Sequence, residues 1–208
     1  MPRSPRSKPA AKPASRYHHG NLPQAMLQEA VRTIQREGVD ALTLRGVGER
    51  LGVSRTALYR HFTDKQALLA AVAAEGFRML RTALAEAWES GGRGREGFDA
   101  MGVAYVRFAV VHPSHYRVMF GGVVRPVDKS GSDDPGMNAF QVLLDAITEQ
   151  QAQGLVRGDD DPRQLALYIW AVVHGVAMLA LDGMLPPEVP ANALMAFANR
   201  HLRTGITR

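Results

Sequence analysis

Residues 41–69 constrain the fold of this chain most, because three helix start signals follow one another closely there. Glycine at position 52, which has no Cβ, favours a sharp bend between the first two predicted helices. The predicted N-terminal caps are, in chain order, Thr43, Ser54 and the capping box Thr63–Gln66. Two short helices joined by a sharp turn predict a helix-turn-helix, whose second helix runs from residue 55 to about 61.

The second of these helices is predicted to be polar and basic on its outer face. The apolar residues of the first two helices are expected to fold onto one small core: Leu44, Val47, Leu51, Val53, Leu58 and Phe62. Helical spacing then leaves Arg55, Thr56, Tyr59 and Arg60 facing outward. Two arginines, two hydroxyl groups and no acid supply hydrogen-bond donors for a helix that enters the DNA major groove.

Residues 52–62, GVSRTALYRHF, and 64–69, DKQALL, resemble the DNA-binding domain of the TetR/AcrR family of transcriptional regulators. The similarity extends back to GVDALTLR at 38–45 and covers roughly residues 21–72. The resemblance implies an all-α fold, in which a three-helix head with the helix-turn-helix joins a larger helical domain for ligand binding and dimerisation. It also implies that nine residues contact double-stranded DNA: Thr43, Arg45, Ser54, Arg55, Thr56, Tyr59, Arg60, His61 and Lys65.

The resemblance also implies different roles for eight of these nine. Thr43 and Arg45 would lie at the edge of the groove, and Arg55 and Thr56 would contact bases. Phosphates would be held by Tyr59, His61 and Lys65. Arg60 stands where many relatives have an aromatic residue, so both a base contact and a phosphate contact remain open for it.

The formal net charge of +5 comes entirely from the first sixteen residues, since the rest of the chain has 20 basic and 20 acidic side chains. The basic residues of this segment are Arg3, Arg6, Lys8, Lys12 and Arg16. Its proline and serine content predicts a disordered tail over residues 1–16. The tail is either an inert leader or an arm that adds counterion-releasing contacts with DNA.

Composition argues against several other classes of protein. There is no cysteine, and the N-terminus lacks the apolar segment of a signal peptide. The longest apolar run, residues 165–181, is interrupted by Tyr168, His174 and Gly175 and is shorter than a usual membrane span. We therefore expect a cytoplasmic protein that does not enter a membrane and in which this run is a buried helix.

An enzyme is the second hypothesis. His112, His115, Asp133 and Asp134 could suggest a hydrolytic metal site, but the histidines straddle a helix-starting proline and no fixed third ligand is evident. The sequence shows no glycine-rich phosphate loop and no nucleophile elbow. The adjacent histidines 18 and 19 would not share a helix face. We expect no catalysis, no cofactor and no metal.

The remaining sequence predicts helices separated by short breaks. Helix caps and the helical spacing of apolar residues predict a first helix capped by Asn21 and ended by Gly38, and a long helix from about 64 to 90. Further helices are predicted at about 98–112, 113–120, 138–153, 162–181 and 188–202. A loop is predicted at 121–136. The predicted domains are the tail 1–16, the DNA-binding domain 17–72, and an effector-binding and dimerisation domain 73–208.

Trp170, His174 and Gly175 resemble the Trp/His-Gly signature of one C-terminal domain type of this family. Either His174 is a hydrogen-bonded core residue beside a packed Trp170, or it faces a ligand cavity as donor or acceptor. The resemblance implies that the last two long helices pair with their copies as a four-helix bundle. It also implies a cavity, for which the candidate lining is Met101, Tyr105, Phe108, Tyr116, Met119, Phe120, Phe140, Trp170, His174 and Met178.

The leading hypothesis is therefore a homodimeric, ligand-responsive regulator of transcription, with repression favoured over activation. It would bind a palindromic operator and release it on binding a small apolar or aromatic effector. A third hypothesis is an architectural DNA protein that binds through the basic tail without sequence preference. The balanced charge of residues 17–208 and the single reading helix argue against it.

Overall fold

A computed structural model describes residues 21–124 and 134–206. Within these ranges the protein consists of nine α-helices and contains no β-strand, which confirms the all-α prediction. The basic tail, His18, His19 and Asp133 lie outside the described residues. The helices are α1 (Leu22–Glu37), α2 (Leu44–Leu51), α3 (Arg55–Tyr59), α4 (Lys65–Ser90), α5 (Arg95–Val111), α6 (Pro113–Phe120), α7 (Pro135–Ala152), α8 (Pro162–Leu181) and α9 (Ala191–Ile206).

The helix-turn-helix forms where the local signals place it. The hydroxyl of Thr43 accepts a hydrogen bond from the backbone N–H of Gly46 at the start of α2, and Ser54 caps α3 in the same way. Gly52 ends α2 with φ 66°, a left-handed conformation that a residue without Cβ adopts at no steric cost. The turn between α2 and α3 is therefore built into the sequence.

The predicted Thr63–Gln66 capping box is wrong. The carboxylate of Asp64 caps α4, accepting from Ala67 N–H at 2.8 Å. An N-cap side chain bonds the N–H three positions on, so a helix that begins at Lys65 uses Asp64 and leaves Thr63 one position too early.

Three other predicted boundaries also move. The second helix of the helix-turn-helix ends at Tyr59 instead of at about 61. The predicted helix 138–153 begins at Pro135, because Asp134 caps it and Pro135 occupies its first position. The last helix begins at Ala191 instead of at about 188, since proline at position 190 disfavours a helical conformation for the residue before it.

Helix α4 belongs to two hydrophobic cores. Its first half, up to Ala73, packs with α1, α2 and α3 in the core of the head. Its second half, from Leu80 onward, packs in the core of the body formed with α5 to α9. The predicted boundary between residues 72 and 73 thus falls inside one continuous helix, and Val118 of α6 also reaches the core of the head.

The apolar run predicted to be a buried helix forms most of α8. Among the described residues, α8 alone has the length and mean hydropathy, 1.8, of a membrane-spanning helix. It packs against α5, α7 and α9 within the body. This burial accounts for part of its apolar character, and an exposed face of the helix accounts for the rest.

Candidate nucleic-acid interface and internal cavity

Helix α3 presents a polar face to solvent. Arg55, Thr56 and Tyr59 are exposed on it, and Arg60 and His61 are exposed immediately after it. Among the residues that the structure describes, none of these five side chains makes a hydrogen bond or an ion pair. Leu58, on the opposite side, is 2% exposed and anchors the helix in the core of the head. Such a face has two guanidinium groups and three further polar side chains available for another molecule.

The other four predicted DNA-contacting residues have partners within the chain. Thr43 and Ser54 use their hydroxyl groups as helix caps. Arg45 pairs with Glu49 at 2.8 Å, and Lys65 donates to the Asp40 carbonyl oxygen at 3.2 Å. The Arg45 pair is exposed, so it is weak enough for the guanidinium to exchange Glu49 for a phosphate.

A charged cluster that sequence reasoning missed braces α2 against α1. Arg50 of α2 pairs with Glu37 at 2.6 Å and lies 3.7 Å from the buried Glu29. It also donates to the Thr33 hydroxyl group. Because these groups come from two helices, their pairing could not be read from either helix alone. The cluster fixes the position from which α2 and α3 project.

The body contains a partly open cavity of about 290 Å³. Five of the ten predicted residues line it: Met101, Tyr105, Phe120, Phe140 and Trp170. Lining residues that the sequence did not indicate are Phe77, Leu80, Leu84, Phe98, Gly102, Asp134, Gly136, Met137, Ala139, Leu143, Arg163, Leu167, Ile169, Val173 and Asn199. The walls are mainly apolar, as in small-molecule sites.

The other five predicted residues, Phe108, Tyr116, Met119, His174 and Met178, lie outside this lining. Phe108 and Tyr116 pack in the core with their rings tilted by 56° and their centroids 6.5 Å apart. Met119 packs on Gly76 at the junction with the head. His174 is partly buried, and its Nδ1 lies within hydrogen-bond distance of two tyrosine hydroxyl groups.

A chain of hydrogen bonds lies behind one wall of the cavity. The Trp170 indole N–H donates to the Tyr105 hydroxyl at 3.0 Å, and the Tyr116 and Tyr105 hydroxyls are 3.2 Å apart. His174 Nδ1 lies 2.7 Å from the Tyr116 hydroxyl and 3.2 Å from that of Tyr105. The arrangement ties α5, α6 and α8 together through four polar side chains.

Protonation states follow from the burial of this chain. Burial lowers the pKa of His174, so the neutral ring is favoured and its Nδ1 accepts from the Tyr116 hydroxyl. The proton of the neutral ring is then on Nε2. Burial raises the pKa of Tyr105 to about 12 and also raises that of Tyr116, so both phenols are uncharged donors at neutral pH.

Helix α6 connects the cavity with the head. Its Phe120 lines the cavity, and its His115 contacts Glu75 of α4 at 3.1 Å. The second oxygen of Glu75 accepts from the Gln24 side chain of α1 at 2.8 Å. These three elements therefore meet at a single carboxylate.

The charge of that carboxylate is stabilised. Burial alone would raise the pKa of Glu75, but hydrogen bonds from Gln24 and His115, and the nearby charges of His115 and Arg78, lower it below its usual value. Glu75 is thus ionised at neutral pH and accepts a hydrogen bond from the head and one from α6.

No metal site is evident in the ranges 21–124 and 134–206, where no three His, Cys, Asp or Glu residues are placed to hold an ion. The rings of His112 and His115 are 6.1 Å apart, and His115 pairs with Glu75. Asp134 caps α7. Among the described residues considered for a hydrolytic site, His115 and Asp134 are thus used in other contacts.

Two family models match the chain in the same two regions. Residues 26–72 match the family described as bacterial regulatory proteins, tetR family, and residues 98–204 match a tetracyclin repressor-like C-terminal domain. The chain belongs to the TetR family. It is a transcriptional regulator with a DNA-binding head, and the second match covers the Trp170–Gly175 signature as well.

Proteins similar to this chain match different shares of its length. The class A tetracycline repressor of Escherichia coli is 47% identical over 51 residues, 24% of each chain. A helix-turn-helix regulator of Mycobacterium tuberculosis is 26% identical over 89% of this chain and 81% of its own. A Rhodococcus protein of unknown function has a TM-score of 0.83 at 35% identity, covering 94% of this regulator and all of that chain. The similarity to a named repressor thus covers about a quarter of the chain, whereas the other two proteins match most of its length.

Proposed function

We propose that the protein is a repressor that binds a palindromic operator as a homodimer and releases it when a small apolar or aromatic effector enters the cavity. It would act in the cytoplasm and need no cofactor. The observation that carries the proposal is the polar surface formed by α3 and the two residues after it, whose five polar side chains are exposed and uncommitted within the described residues. Repression is favoured because the relative that shares the head at 47% identity is named a repressor.

The proposed DNA contacts divide by chemistry. Arg55 and Thr56, on the first turn of α3, would contact base edges, since the N-terminal residues of a recognition helix lie deepest in the groove. Tyr59, His61 and Lys65 would hold phosphates, and Arg60 is placed to contact either. Thr43 and Ser54 would position the two helices by capping them.

The proposed dimer face lies on α8 and α9. Large apolar side chains are exposed on both, with Tyr168 at 55%, Leu179 at 44% and Phe197 at 50%. Between the two on α8, a Cβ on Gly175 would meet nothing within 4 Å, so a helix of a second copy has room to approach closely. Large apolar side chains exposed on two neighbouring helices favour burial against a partner.

The effector would act through α6. Because Phe120 lines the cavity while His115 contacts Glu75, a ligand that moves α6 would change the junction between head and body. A two-state junction would then alter the distance between the two heads of the dimer. The proposal requires only that the ligand binds one of the two arrangements more tightly.

Selection of bound fragments from random DNA with the purified full-length protein tests the proposal. We expect a palindromic sequence whose half-sites are about one helical turn apart, or a multiple of it. A small-molecule screen on the selected operator should then yield apolar or aromatic compounds that release it. Enrichment of no sequence, with salt-dependent binding to all DNA, would favour the architectural alternative instead.

Sedimentation of single-charge variants tests the dimer face. Leu179→Glu and Phe197→Glu should give monomers, because an unpaired carboxylate in an apolar interface costs several kcal/mol. Val110→Glu, on an α5 valine that is 51% exposed, is the matched control. Val173 and Ala177 are unsuitable, since both are buried in the protomer. A wild-type protein that sediments as a monomer at micromolar concentration would contradict the proposal.

A further inference from the structure

The cavity has a closed end and an open end. Its lining residues on α8 include Arg163, Leu167, Trp170 and Val173, which follow helical spacing over ten positions. Ten residues of α-helix span about 15 Å, so the cavity extends along roughly that length of α8. Val173 is 5% exposed, whereas Leu167 is 47% exposed and Arg163 is also exposed. The open end is therefore the one with Arg163.

Most polar groups in the lining are already satisfied by the protein. The Trp170 indole donates to Tyr105, whose hydroxyl belongs to the chain that ends at His174. The Asn199 amide nitrogen donates to the Asp99 carbonyl oxygen at 3.0 Å. Asp134 accepts from Gly136 N–H at 2.9 Å as the cap of α7. These groups are committed to holding the fold.

Arg163 differs from them. Its backbone N–H is capped by Asp161, but its guanidinium group makes no hydrogen bond or ion pair with any residue in the described ranges. It is also the only basic residue in the lining given by the described residues. An uncommitted guanidinium at the open end of an apolar cavity is placed to bind a carboxylate in a bidentate manner.

The position of Arg163 also suits the energetics of such a ligand. A charge buried at the closed end would lose its hydration and would need several compensating partners. At the open end, a carboxylate keeps part of its hydration while it pairs with Arg163. The apolar part of the same molecule can then enter between Phe77, Phe120, Phe140 and Trp170, which line the inner walls.

We propose that the cavity binds an elongated amphipathic anion, with its carboxylate on Arg163 and its apolar body along α8. This inference rests on the proposed function in that the same cavity is the effector site, and it adds the chemical class of the effector. The alternative ligand is an amphipathic cation, for which Asp134 would be the charged partner.

Ligand binding without DNA tests this directly. Decanoate, decanol and decylamine share one apolar chain and differ in the charge of the end group. We expect decanoate to bind the full-length protein about tenfold more tightly than decanol, because a hydrogen-bonded charge pair replaces a neutral contact. Quenching of tryptophan fluorescence, since Trp170 lines the cavity, and calorimetry both report the binding.

Variants assign the preference to its residue. Arg163→Gln should bring the affinity for decanoate down to that for decanol and leave the affinity for decanol unchanged. Arg81→Gln, at an exposed position of α4 outside the lining, is the matched control and should retain the tenfold preference. Equal binding of the three compounds, tighter binding of decylamine, no binding of decanoate, or a preference that survives Arg163→Gln would each overturn the inference.

The decanoate test and the operator selection can fail independently of each other. If operator selection succeeds and decanoate shows no preference, the regulator stands and only the class of effector is wrong. If decanoate binds through Arg163 and no operator is selected, the inference stands as a binding property and the proposed function fails. Release of the operator by decanoate in the wild type, and its loss in Arg163→Gln, would support both.

Discussion

The head and the body differ in how completely their interiors are filled. In the head, α2 and α3 approach so closely that a Cβ on Gly48 would overlap the Leu58 side chain. The body is larger, yet its core contains a cavity of about 290 Å³ beside the buried Leu80. A filled core holds α3 in one orientation, as base recognition requires, whereas an open core leaves room for a ligand and for a second arrangement of the helices.

Truncation of one leucine in each region is the strongest test of this difference. Leu58 and Leu80 are each 2% exposed, but only Leu80 borders the cavity. Leu58→Ala should lower the free energy of unfolding by about 2–5 kcal/mol. Leu80→Ala should cost about 1 kcal/mol less, because part of its surroundings is already empty and fewer contacts are lost.

Urea unfolding followed by circular dichroism compares the two variants. Tryptophan fluorescence reports the body separately, since Trp88 and Trp170 both belong to it. A cost for Leu80→Ala as large as that for Leu58→Ala would mean that the core of the body is as well filled as that of the head.

The junction between the two regions gives a smaller expected effect. Glu75→Gln removes the charge that pairs with His115, so movement of α6 should reach the head less effectively. We expect the ratio of operator affinities without and with saturating effector to fall about fivefold, which is about 1 kcal/mol of coupling free energy. Effector affinity measured without DNA should change little.

Glu86→Gln, at an exposed position of the same helix, is the control and should keep the wild-type ratio. The role assigned to Glu75 is wrong if Glu75→Gln keeps that ratio too. A loss of operator binding with and without effector would show that Glu75 only supports the fold.

Acid sensitivity of the body is the smallest expected effect. Burial lowers the pKa of His174 in the folded protein, so the unfolded chain takes up the proton more readily. Stability should therefore fall as the pH drops below the ordinary histidine pKa of about 6.5. In His174→Gln the fall should be smaller but still present, because burial and the neighbouring His115 also lower the pKa of His112.

Thermal unfolding at a series of pH values, monitored by tryptophan fluorescence, measures this effect. A wild-type midpoint that stays constant from about pH 7.5 to about pH 5.5, or an identical pH dependence in His174→Gln, would exclude a protonation cost at this site.

The head and the body also differ in how much of their structure the sequence could predict. In the head, most of the structure depends on neighbours in the chain: Thr43 and Ser54 cap the residues three positions later, and Gly52 forms the turn. The outward face of α3 follows from these local signals. The Arg50 cluster, which joins two helices, was missed there, and the predicted Thr63–Gln66 capping box was wrong.

In the body, the helices could be predicted, but only half of the residues predicted to line the cavity do so. Phe77, Leu80 and Leu84 have the spacing of any buried face, and nothing local shows that this face borders a cavity. Conversely, Tyr116 and His174 have the composition of a ligand site but satisfy each other through a hydrogen bond of 2.7 Å. Which polar groups remain uncommitted is decided by packing between distant helices.

Base recognition by α3 is tested most directly by the operator binding of two arginine variants. Arg55 lies on the exposed face of α3, whereas Arg36 is exposed at the end of α1. Arg55→Ala should weaken binding to the selected operator by about 1–3 kcal/mol and leave binding to random DNA nearly unchanged, because a bidentate base contact is lost. Arg36→Ala should leave both nearly unchanged. Equal losses on operator and random DNA for Arg55→Ala would contradict base recognition by α3.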